Sequence, residues 1–227
     1  MKNIINSPNF AIIFLCISMA LYFSICFICR SLWGTFDIEE IGVTEFSTYL
    51  FYGIGAIIIS FCAKDFFSDK SKLKSFIAIV FLYITMILRD MGAQHWLTSH
   101  DTTVTKIRFF TNPTNPLYEK IIAAVVMLGI LAILLYVFLK HIKPFIKGLF
   151  KLEPVSWSIF TLFIWTIITQ IADRFPAEYL KATGIALTEP ITFTLKILEE
   201  GGESLLPLLI AIAFLQYHYS KNSTKEY

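Results

Sequence analysis

Residues 121–139 read IIAAVVMLGILAILLYVFL, a run without a charge or a proline. As a helix rising about 1.5 Å per residue, such a run is close in length to the roughly 30 Å of hydrocarbon in a bilayer. A soluble surface helix carries one apolar stripe, whereas this segment is apolar on every side, which calls for burial all round or for lipid. We read it as a membrane span, and the rest of the chain is interpreted around it.

The composition agrees. Of 227 residues, 56% are hydrophobic and only 16% charged, where a soluble domain carries about 25% charge. The net charge of +2 leaves no basic surface for nucleic acid. Cys16, Cys26, Cys29 and Cys62 all fall inside apolar runs. Phe27 and Ile28 between the middle two argue against an exposed, low-pKa redox thiol. The uncharged stretch from Asn9 to Cys29 is longer than a usual signal-peptide core and no small-residue cleavage site follows it. It reads as a retained first span.

Six spans are expected, at about 9–29, 46–63, 75–97, 120–140, 155–173 and 197–218. The fold class is therefore all-α, a single polytopic transmembrane domain. In the third span the charge-free part, 75–88, is too short to cross hydrocarbon alone, so it draws in Arg89 and Asp90. The last charge-free stretch, 204–217, is equally short and draws in Glu199, Glu200 and Glu203. Lysine-rich loops are expected at 64–74 and 140–151, and the doubled turn signal Thr111-Asn112-Pro113-Thr114-Asn115-Pro116 marks 98–118 as a connection. Residues 173–198, punctuated by Pro176, Gly184 and Pro190, read as a long, partly amphipathic connection. Within it, Thr188-Glu189-Pro190 has the form of a helix start.

Lysine and arginine set the orientation. With the N-terminus inside, the inner loops and tail hold eleven lysines against four acids, and the outer side holds eight basic residues against thirteen acids. An even number of spans returns the basic tail to the same side. Both termini are therefore expected in the cytoplasm, in a cell inner membrane.

This orientation gathers the charged residues nearest the spans on the outer side: Glu45, Arg89, Asp90, His95, Asp173, Arg174, Glu199, Glu200 and Glu203. All four arginines lie there too, while the inner side uses lysine. Arginine suits bidentate pairing with carboxylate or phosphate. A charge near lipid costs several kcal/mol, about 2.5–3.5 at a helix centre, so these positions are candidate binding residues. On an α-helix Glu199 and Glu203 share a face, and Glu200 lies close to it. Their mutual repulsion needs an arginine, a cation or a proton. Gly201 and Gly202 would admit a neighbouring backbone, and Pro207 frees the carbonyl of Glu203.

No resident metal or cofactor is expected. Only His95 and His100 fall outside, with His141 and His218 at the inner ends, so a three-histidine zinc site is excluded by topology. No G-x-S-x-G, P-loop or G-x-G-x-x-G is present.

The stretch Leu88-Arg89-Asp90-Met91-Gly92-Ala93-Gln94-His95-Trp96-Leu97-Thr98, then Lys106-Ile107-Arg108-Phe109-Phe110, then Glu199-Glu200-Gly201-Gly202-Glu203, resembles multi-pass bacterial inner-membrane proteins of uncharacterised function. In those proteins the third helix ends in an Arg–acid pair followed by His, and paired acids open the last helix. Asp90 stands where that pattern has Glu. The resemblance implies the architecture and carries no activity. The leading expectation is an integral inner-membrane protein that binds a lipid headgroup or an envelope partner through its outer charged cluster. A membrane-embedded enzyme acting on lipid or lipid-linked substrate, and a transporter or proton-coupled component, are the alternatives.

Overall fold

The computed structural model describes residues 2–33, 43–96, 98, 104 and 106–223. Among them there is no strand. The helices are α1 (Lys2–Ile5), α2 (Phe10–Trp33), α3 (Val43–Cys62), α4 (Lys70–Asp90), α5 (Ile107–Thr111), α6 (Leu117–Phe150), α7 (Pro154–Thr183), α8 (Glu189–Lys196) and α9 (Gly202–Ser223). A π-helical turn, Ile197–Gly201, joins α8 to α9. Helices α2, α3, α4, α6 and α7 are long and apolar enough to cross a membrane. His100 and the tail residues Lys225 and Glu226 lie outside the described residues.

Several boundaries differ from the sequence expectation, each for a local reason. α4 starts at Lys70 rather than near 75, because Asp69 caps it by accepting from the Ser71 N–H at 2.7 Å. It stops at Asp90, just ahead of Gly92 in the left-handed conformation (φ 75°). Arg89 and Asp90 thus end an apolar helix and do not interrupt one. α6 runs on to Phe150 through Pro144, so the expected loop at 140–151 is mostly helical. α7 likewise continues past Asp173 and Pro176 to Thr183, ending on Gly184 (φ 69°). The expected connection from 173 therefore shrinks to the few residues before α8. α8 begins where Thr188-Glu189-Pro190 predicts, with Thr188 at its N-cap and the proline in its first turn.

The chain forms two compact units, one of residues 1–62 and 145–227 and one of residues 63–144. In the first, α9 packs chiefly on α3 and α7, with α2 alongside. Leu205, Leu206, Leu209, Ile212 and Phe214 are buried, and so are Ser204, Gln216 and His218. Its polar groups find partners inside the protein. Ser158 Oγ donates to Gln216 Oε1 at 2.6 Å, and Gln216 Nε2 donates to the Ile5 carbonyl at 3.0 Å. A helix so enclosed carries polar side chains that lipid-exposed positions exclude. This explains why α9, expected as a sixth span, falls outside the five helices that qualify by length and apolarity.

In the second unit, His141 and Ser75 are 3.1 Å apart between α6 and α4, and Lys140 Nζ donates to the Ser71 carbonyl at 2.7 Å. Val104, Phe109 and Ala123 form a small buried cluster that holds α5 against the start of α6.

Candidate functional site

The π turn is the centre of the candidate site. A π turn is rare and interrupts the regular helical ladder, and such turns concentrate at functional positions. Here it carries Glu199 and Glu200, with Glu203 in the first turn of α9. All three glutamates are half-buried.

α7 supplies their partners. Gln170 Nε2 donates to Glu203 Oε1 at 3.0 Å. Glu199 shares a side-chain hydrogen bond with Asp173, in a field that also includes Glu200 and Glu203. Trp165 Nε1 donates to the Gly202 carbonyl at 3.1 Å, fixing the α7 side of the junction.

The two glycines are needed for close approach, by side chains and not by the backbone the sequence led us to expect. A Cβ on Gly201 would stand 2.7 Å from the Tyr22 ring. A Cβ on Gly202 would stand 2.6 Å from Thr169 Cγ2 and 3.1 Å from Trp165 Nε1. Tyr22 extends the network to α3: its hydroxyl lies 3.2 Å from Ser47 Oγ and also reaches Ser204. Ser204 Oγ in turn donates to the Gly201 carbonyl at 2.8 Å.

Arg174 follows Asp173 on α7, but its side chain is exposed and has no hydrogen bond or ion pair among the described residues. It lines a surface groove with Thr166, Ile167, Ile171 and Phe175.

The remaining expected site residues are placed as follows. Glu45 is in the first turn of α3, a helix packed on α9. Arg89, Asp90 and His95 belong to the second unit. Arg89 Nε donates to Asp90 Oδ1 at 2.8 Å, with Arg89 half-exposed. His95 is exposed in a short 3-10 turn, Ala93–His95. Among the described residues no three His, Cys, Asp or Glu side chains group closely enough to share a metal ion.

Sequence reasoning missed Gln170, Trp165 and Tyr22. Gln170 carried a usable signal, as the lone amide between Trp157 and Ala172. It also missed the anchor of α8 on α2. Arg30 pairs with Glu189 at 2.5 Å and lies over the Phe193 ring, 4.4 Å from its centroid.

No family model, no curated protein and no solved structure matches this chain.

Proposed function

We propose that the chain is a multi-pass protein of a bacterial inner membrane, with α9 as a sixth, internal span and both termini in the cytoplasm. In this reading the cluster at the α7–π-turn junction faces the periplasm and binds a lipid headgroup or an envelope partner. One observation carries the proposal: Asp173, Glu199, Glu200 and Glu203 converge on an irregular helical turn, while Arg174 beside Asp173 makes no hydrogen bond or ion pair among the described residues. A purely structural set of charges would be arranged to neutralise itself, since uncompensated charge near lipid is expensive. Here the guanidinium beside the cluster engages none of the described residues.

The experiment is photocrosslinking in cells from a reactive residue at position 200. Adducts with a lipid or a periplasm-facing protein are expected, absent from a probe at the exposed α2 position Ile13. No adduct above the Ile13 level would refute the reading. The contact between Glu199 and Asp173 supports a second reading, a proton-coupled component, for which Glu199→Gln would abolish uptake or efflux driven by a pH gradient.

A further inference from the structure

Two concavities of the first unit lie side by side on α7. One, of about 510 Å³, is lined by Thr166, Ile167, Ile171 and Phe175, with Arg174 among them. The other, of about 250 Å³, lies between α7 and the α8–π-turn segment, with Ile168, Ala172, Leu195 and Leu198 on its walls. Ile171 and Phe175 line both and form the ridge between them. The walls are almost wholly apolar, and they belong to a helix apolar enough to cross a membrane.

Charged groups flank the ridge. Arg174 lines the larger groove, and Glu178, which also lines it, faces Lys181 at 3.9 Å. Among the described residues, Arg174 on that side makes no hydrogen bond or ion pair. Asp173 and Glu199, whose contact joins α7 to the π turn, follow Ala172 and Leu198 of the smaller groove's walls.

From this we infer that the ridge of Ile171 and Phe175 is a phospholipid site that takes a diacyl lipid with a primary-amine headgroup. One acyl chain lies in each groove, the phosphate meets Arg174, and the ammonium meets the Asp173–Glu199 pair. Guanidinium and phosphate match in geometry as well as sign. A primary ammonium has three N–H donors, which an acid pair can accept and a glycerol headgroup cannot imitate with charge. The inference rests on the proposed headgroup-binding role of the cluster and names the class of lipid.

The test is native mass spectrometry of the full chain in a phosphate-free detergent, with diacyl phosphatidylethanolamine, diacyl phosphatidylglycerol or inorganic phosphate added in turn. The ethanolamine lipid is expected to be retained most strongly, the glycerol lipid less, and inorganic phosphate not at all. Arg174→Gln should weaken both lipids by about tenfold or more, the loss of one charge-assisted contact. Asp173→Asn should lower the ethanolamine lipid to the level of the glycerol lipid and leave the latter unchanged. Both side chains are exposed, and an unchanged unfolding temperature would show that the variants are folded. Equal retention of the two lipids by the unmodified chain would overturn the amine assignment. Inorganic phosphate bound as well as lipid would overturn the acyl grooves, and Arg174→Gln behaving as the unmodified chain would overturn the phosphate contact. A protein adduct at position 200 without lipid retention would sink this inference while leaving the broader reading in place; absence of both would remove both.

Discussion

Gln170 on α7 donates to Glu203 on α9 at 3.0 Å, the hydrogen bond that joins the outer-facing helix to the enclosed one at the acidic junction. A neutral amide here satisfies a half-buried carboxylate without cancelling its charge. This separates structural support from function at Glu203. Glu203→Gln keeps an acceptor oxygen for Gln170 and should leave the unfolding temperature in detergent nearly unchanged, while any ligand-dependent stabilisation is lost. Gln170→Leu withdraws the donor and should cost about 1–3 kcal/mol. Equal stability of the two variants would show that the contact is not a support.

Gly202→Ala should destabilise by about 1–3 kcal/mol, because the new methyl meets Thr169 Cγ2 at 2.6 Å on a well-packed face. Gly53→Ala on α3 is the control. Nothing stands within 4 Å of the added carbon there, and alanine favours the helix by nearly 1 kcal/mol. The two should shift thermal unfolding in opposite directions.

Arg30→Ala should loosen α8 from α2. It removes both the Glu189 ion pair and the cation over Phe193, together about 1 kcal/mol. Glu189→Gln should cost much less, because that side chain is 83% exposed. Limited proteolysis between Gly184 and Thr188 would report the difference. Equal cleavage of the two variants would assign the anchor to the ion pair and not to the aromatic contact.

Reporter fusions test the orientation. Fusions after residue 68, after Lys151 and at the C-terminus should report the cytoplasm, and one after Asn112 the periplasm. A cytoplasmic signal at Asn112 would turn the acidic junction to the opposite leaflet.

The long apolar helices were legible in the sequence because a run such as 121–139 leaves a composition signal that needs no tertiary knowledge. Helix ends were less legible. The four lysines of 140–151 read as a loop, yet the helix continues through Pro144, since proline removes a single ladder bond. The acidic cluster was visible as residues that lipid would reject, but its geometry was not. Regular helical spacing was assumed from Glu199 to Glu203, where the backbone takes a π turn. Arg89 and Asp90 looked embedded only because the start of α4 was placed too late. The role of Gln170 depends on which face of α7 meets α9, and that is decided by packing at Gly202.

The π turn sets the angular phase between two anchored helices. Phe193 on α8 is fixed beneath Arg30, and Gln216 on α9 is fixed to Ser158 and the Ile5 carbonyl. A residue added to a regular α-helix would turn everything beyond it by about 100°. The wider π turn absorbs the extra residue locally, so both anchors stay engaged. Excising one residue from Ile197–Gly201 should therefore restore a regular ladder and keep α8 and α9 in phase, while it withdraws the wide turn on which Glu199 and Glu200 sit, so loss of a single codon there would cost the site more than the fold.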